Sequence, residues 1–131
     1  MKTKINLLVS VLILISSVAF AQTKKSTQST TAVQMYYAHY TARCVTCKTV
    51  ESEAKKDLAE LYGSKVSFQS INLDEATNDA IAKKLNISTQ TLLIVKGAKQ
   101  VNITNEAFMY ARANPAKFKA VIKAKIDAML K

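Results

Sequence analysis

Apolar residues fall along this chain in two rhythms. Val33 to Tyr40 reads VQMYYAHY, an almost unbroken run of apolar and aromatic side chains. Such a run predicts a strand covered on both faces. After Thr41-Ala42-Arg43 the rhythm changes. Cys47, Val50, Ala54, Leu58 and Leu61 recur at intervals of three and four, which marks one helical face. Gly63 sits where a helix commonly stops. Val66 to Leu73 alternates imperfectly and predicts a second strand. Asp74 is placed to cap a helix through Ala76, Ala80, Ile81 and Leu85, which Asn86 can end. Thr91 to Val95 is a short β-branched strand, Lys96-Gly97-Ala98-Lys99 a turn, and Val101 to Thr104 the returning strand of a hairpin. Asn105 heads a short helix, Glu106 to Ala113, with Phe108 and Ala111 inward. Asn114-Pro115 is a strong helix-start signal. Phe118, Val121, Ile122, Ile126, Met129 and Leu130 then keep helical spacing to the end.

The order strand, helix, strand, helix, strand, strand, helix is that of an α/β domain. Strands separated by helices are expected parallel, and the last two, joined by a short turn, antiparallel. The sum is a mixed four-stranded sheet with helices on both faces. No internal repeat and no second domain interrupts Val33 to Lys131.

The chain before Val33 reads differently. Lys2 and Lys4 precede a mostly apolar run, Ile5 to Phe20, and Ala19-Phe20-Ala21 suits cleavage before Gln22. Residues 1–21 are therefore expected to be a secretory signal, the competing reading being an uncleaved membrane anchor. Residues 22–32 are polar and read as a flexible lead to the domain, 33–131. The expected location is periplasmic or secreted.

Charge changes this picture little. The formal net charge is +10, and loss of Lys2 and Lys4 with the leader leaves +8. The lysines are dispersed, so they read as a solvated surface rather than a nucleic-acid site. The expected state is a monomer.

Both cysteines of the chain lie in Arg43-Cys44-Val45-Thr46-Cys47-Lys48, between the first strand and the first helix. In an oxidising compartment disulfides persist. A Cys44–Cys47 bridge closes a very short loop and would stabilise little, so the pair is better explained by chemistry. The two thiols can close a redox disulfide or hold a soft ligand between them. For exchange, Cys44 is placed as the exposed nucleophile. A helix N-terminus favours its thiolate, and Arg43 adds positive charge alongside. Cys47, one turn on and facing inward, is the resolving thiol. A structural zinc site needs four ligands and only His39 is near, so no metal is expected. A soft metal or trivalent arsenical taken between two thiolates is the competing reading. A third is an interaction domain whose disulfide stays closed. His39, five residues before Cys44, reads either as a proton-transfer aid or as a backbone-bonded histidine at a strand end. Tyr36, Tyr37 and Tyr40 read as core and sheet. No flavin-binding or nicotinamide-binding motif occurs, so no cofactor is expected.

The strand, the C-x-x-C at a helix start, the Thr91-Leu92-Leu93 strand and the closing hairpin and helix resemble a thioredoxin-like fold over Val33 to Lys131. Several stretches make the chain similar to the ArsF family, small exported thioredoxin-like subunits of a nitrophenyl-compound nitroreductase. They are Tyr36-Tyr37-Ala38-His39-Tyr40 leading to Arg43-Cys44-Val45-Thr46-Cys47, then Val66 to Asn72, Gln90 to Val95, and Phe108-Met109-Tyr110-Ala111-Arg112. The resemblance implies a thiol–disulfide oxidoreductase or an electron-passing accessory subunit. Its partner would be a membrane or periplasmic thiol protein, with a nitroreductase subunit as a further partner. The chain departs from ordinary thioredoxins in its dithiol, where Val45-Thr46 stands for Gly-Pro. It also has Gln90 where thioredoxins carry a cis-proline, so a trans bond is expected there. Ala38 stands where a buried acid would assist the resolving thiol.

Overall fold

In the computed structural model, residues 32–131 are described; the expected leader and most of the polar lead lie outside them. Four strands and four α-helices form the domain. They are β1 (Gln34–His39), α1 (Val45–Tyr62), β2 (Ser67–Asn72), α2 (Asp79–Lys84), β3 (Thr91–Lys96), β4 (Lys99–Asn102), α3 (Thr104–Tyr110) and α4 (Pro115–Leu130), with one 3-10 turn, Ala76–Asn78, before α2. The sheet order is β2-β1-β3-β4.

The unbroken apolar run of β1 has the cause expected of it. Met35 and Tyr37 face a core built with Val50, Ala54 and Leu58 of α1, Ala107 of α3, and Phe118, Ile122 and Ile126 of α4. Tyr36 and Ala38 point the other way, into a smaller core with Ile71, Leu93, Val95, Ala82 of α2 and Leu85 just after it. Side chains alternate across a strand, so one run supplies both cores. Tyr40 departs from the sequence reading. It lies just beyond β1 and is 40% exposed.

β1 and β2 pair in parallel, from Gln34 against Ser67 to His39 against Asn72. β3 reverses the expectation for strands that follow a helix. It runs antiparallel to β1, with Ala38 opposite Thr91. A helix of α2's six residues spans about 9 Å, whereas a six-residue strand spans about 20 Å. So short a helix does not carry the chain back along the sheet, and β3 starts at the end where β1 finishes. β3 and β4 then form the expected antiparallel hairpin.

Helix boundaries differ at two caps. Asp74 does not cap α2; its carboxylate accepts the backbone N–H of Thr41 (2.7 Å). Asn78 precedes α2 instead, and its side-chain amide donates to the Asn72 carbonyl. Thr104, not Asn105, opens α3, braced by Asn102, whose Oδ1 accepts the Thr104 N–H at 2.9 Å. Asn114 caps α4 as its sequence signals, accepting the Lys117 N–H at 3.1 Å, with Pro115 in the first turn. Asn86 ends the α2 region with a positive φ of 54°, a conformation that asparagine tolerates better than most side chains.

Candidate functional site

The site sits where three chain segments meet at one end of the sheet: the end of β1, the first turn of α1, and the entry to β3. Cys44 is the N-cap residue of α1. Its extended backbone turns the sulfur over the open end of the helix, where Sγ accepts the Cys47 backbone N–H at 3.1 Å. That N–H has no partner within the helix, and a sulfur carrying negative charge is the acceptor it favours most. No acidic residue occupies the first turn of α1 to compete for the position.

Cys44 and Cys47 are joined in a disulfide, their Cα atoms 5.1 Å apart. The two sulfurs live in different surroundings. Cys44 is exposed. Cys47, on the inward face of α1 with Val50 and Ala54, is only 7% exposed. Val45, between them in sequence, is 67% exposed.

Gln90, the residue before β3, reaches the pair. Its Oε1 lies 3.9 Å from Cys47 Sγ. Its Nε2 donates to the Tyr37 hydroxyl (2.6 Å), and that hydroxyl donates to the Cys47 carbonyl (3.0 Å). No cis peptide bond occurs among the described residues, so the bond before Gln90 is trans, as expected of a non-proline residue there. Burial pushes the Tyr37 hydroxyl above its ordinary range and outweighs the hydrogen bond from Gln90, which acts the other way. Tyr37 is a site contact that the reading of the tyrosines as core and sheet passed over. Its signal was present. A buried tyrosine hydroxyl needs a polar partner, and Tyr37 shares the α1-facing side of β1 with His39.

Arg43 lies beside Cys44 but is not an unshared positive charge. It forms an ion pair with Glu51 of α1, which also binds Lys55 at 2.7 Å. Burial alone would raise the Glu51 carboxyl. Hydrogen bonds from Lys55, Arg43 and Ser70 together outweigh it and hold the group below its ordinary range.

His39 is buried and does not contact either sulfur. Nδ1 is 2.8 Å from the Tyr40 carbonyl, and Nε2 is 2.8 Å from Ser70 Oγ. The carbonyl can only accept, so Nδ1 presents a hydrogen to it, and Nε2 is held by the Ser70 hydroxyl. The structure thus brings together Cys44, Cys47 and Gln90 directly, adds Tyr37, places Arg43 alongside in an ion pair, and leaves His39 bracing the end of β1.

A polar cleft lined by Thr89, Gln90, Thr91, Asn102, Thr104 and Glu106 opens beside Gln90. A concavity of about 450 Å³ at the opposite end of the sheet, lined by Gln34, Tyr36, Leu85 and Val95, is remote from this chemistry. No group of three or more His, Cys, Asp or Glu side chains that could hold a metal occurs among the described residues.

No protein-family model matches the sequence, and comparison with curated proteins finds no match. Among solved structures, Trxlp from Edwardsiella tarda EIB202 is similar over 70% of this chain and 82% of its own, at 18% identity and a TM-score of 0.51. Thioredoxin from Trypanosoma brucei brucei is similar over 74% of this chain and 77% of its own, at 20% identity and a TM-score of 0.46. At such identities the likeness speaks to architecture alone, and the first of the two carries it. The chain has a thioredoxin-like fold, with a Cys44–Cys47 disulfide at the start of its first helix.

Proposed function

We propose that this protein is an exported thiol–disulfide oxidoreductase that exchanges electrons with a partner thiol protein through Cys44 and Cys47. The observation that carries this reading is the asymmetry of the disulfide. Its outer sulfur caps a helix N-terminus in the open, and its inner sulfur is shielded. A partner thiolate can reach Cys44 but not Cys47. Attack at Cys44 Sγ breaks the disulfide, joins partner sulfur to Cys44, and releases Cys47 as the leaving sulfur. In the reverse direction the Cys44 thiolate attacks a partner disulfide, and Cys47 then resolves the mixed disulfide. Arg43 is neutralised in part by Glu51, so the helix end is the principal stabiliser of the Cys44 thiolate. His39 acts as a structural brace rather than a proton carrier, given that both ring nitrogens are engaged.

Export rests on the leader expected at residues 1–21, whose cleavage after Ala21 is checked by the mass of the mature protein. The likeness of Tyr36 to Cys47 and of Gln90 to Val95 to the ArsF family favours a role as an electron-passing subunit beside a nitroreductase.

The deciding measurement is the reduction potential of the pair in glutathione buffers, read by alkylation and mass. A value between roughly −120 and −270 mV, the span of known dithiol oxidoreductases, is expected. A value below about −300 mV marks a resistant, closed disulfide and an interaction domain instead. A pair that resists oxidation while retaining a soft metal or arsenical marks a binding module.

A further inference from the structure

When the disulfide is reduced, the two sulfurs must share their protons, and the donors and acceptors around Cys47 decide how. The Cys47 carbonyl can only accept, so the Tyr37 hydroxyl hydrogen points to it. With that hydrogen committed, the Tyr37 oxygen can only accept from the Gln90 side chain. The Gln90 NH2 therefore faces Tyr37, and its carbonyl oxygen faces Cys47 Sγ. Donor–acceptor accounting thus orients an amide whose two ends look alike in shape. Burial pushes the Tyr37 hydroxyl above its ordinary range, which favours the protonated form that this arrangement needs.

We propose that Gln90, oriented by Tyr37, is a positioning residue that keeps the proton of the reduced pair on Cys47 and leaves the thiolate to Cys44. The inference rests on the thiol–disulfide reading above. An acceptor aimed at a sulfur takes a hydrogen bond from S–H and repels a thiolate. Cys44 meets the opposite environment, a backbone N–H at the positive end of a helix. Two titratable groups with environments that push them apart take different roles. Reduction by an external dithiol then balances as follows. Two electrons pass to the disulfide, the dithiol is oxidised to its own disulfide, one of its protons comes to rest on Cys47, and the other goes to solvent. In the reverse direction Cys47 must lose its proton to water before it resolves a mixed disulfide, so Gln90 prolongs the mixed-disulfide stage.

Glu106 is the charged residue lining the cleft beside Gln90; the charged groups around Tyr37 and the pair do not supply this asymmetry. Arg43 and Glu51 both act on Tyr37 electrostatically, in opposite directions, and are paired with each other. Lys48 is exposed on α1. His39 has its ring 5.8 Å from that of Tyr37 and both nitrogens occupied. The segment entering β3, Thr89 to Thr91, carries no ionisable side chain.

The test is the pH dependence of Cys47 alkylation in a Cys44→Ser background, with the Cys44 thiol measured separately in Cys47→Ser. Cys47 should titrate above the ordinary thiol value of about 8.5. Gln90→Met removes the acceptor, and Tyr37→Phe frees the amide to turn its NH2 to the sulfur. Each should yield about fivefold more Cys47 thiolate at a given pH, the worth of one neutral hydrogen bond. The double variant should shift no further than the larger single, because Tyr37 acts through Gln90. The Cys44 value should follow neither. A Cys47 titration that stays put or rises in Gln90→Met overturns the proposal, as do shifts that simply add. If Tyr37→Phe does not fold, Gln90→Met at its half-buried position decides the matter alone. A wild-type disulfide that exchanges with no dithiol would instead sink the thiol–disulfide reading, while the Cys47 titration still reports where the proton sits.

Discussion

Single side chains decide the chemistry here, and their surroundings can be tested one at a time. With the protein reduced, Cys44 should be the first thiol alkylated at neutral pH, and Cys44→Ser should abolish exchange with a partner disulfide. Faster alkylation of Cys47 would reverse the assigned roles. Asp57 is the residue with the least obvious place. It is 2% exposed on α1, and its Oδ2 has no hydrogen-bond partner. Burial pushes its carboxyl up, outweighing the pull of Lys119. An acid whose folded pKa is raised contributes full stability below its unfolded value, and loses it as pH rises through the folded value. Asp57→Asn should therefore match the parent in acid and exceed it near neutrality. The gain is about 1.4 kcal/mol for each unit of pKa displacement. Equal pH profiles for the two proteins would show that the carboxylate finds water or a partner. Glu51 has the opposite sign. Its folded pKa is lowered, so its contribution is present above its unfolded value and fades as pH falls through the folded one.

Among the elements, α4 supplies the largest share of the larger core. Phe118, Ile122 and Ile126 are fully buried against β1, β3 and α1. Phe118→Ala should cost about 3–5 kcal/mol, the usual range for emptying an aromatic core site. The start of the same helix depends on Asn114, whose side chain takes the Lys117 N–H. Asn114→Ala should cost about 1 kcal/mol, which for a domain of this size lowers the melting temperature by about 4–8 °C. A melt that does not move would mean that Pro115 and packing alone hold the helix start. Asparagine and proline advertise such an end in sequence because the one supplies an oxygen and the other a preset φ. Asp74 shows the limit of that logic. It has the right side chain for a cap, yet α2 starts only at Asp79, and the carboxylate takes the Thr41 N–H in the loop after β1.

At the scale of the whole molecule, the disulfide is chemistry added to a fold that stands without it. The chain-entropy account gives a loop this short about 2 kcal/mol or less. Neither core uses the bridge as a staple. Reduction should lower the melting temperature modestly and leave the far-ultraviolet circular dichroism spectrum unchanged. Unfolding on reduction would mean that the bridge holds β1 to α1.

The sequence by itself determined the elements and the thiol pair. Helical spacing of Cys47, Val50, Ala54 and Leu58 marked α1 and its inner face, the unbroken run of β1 marked a strand between two layers, and two cysteines three apart at a helix start marked the reactive pair. These are local properties, written in neighbours along the chain. The reversal of β3 and the arrival of Gln90 and Tyr37 beside Cys47 were decided only in three dimensions. So were the loss of Arg43's charge to Glu51 and the engagement of His39 with Tyr40 and Ser70. Each depends on how far a short helix can carry the chain across a sheet, and on which polar group then stands nearest to a hydrogen-bonding atom that burial has cut off from water.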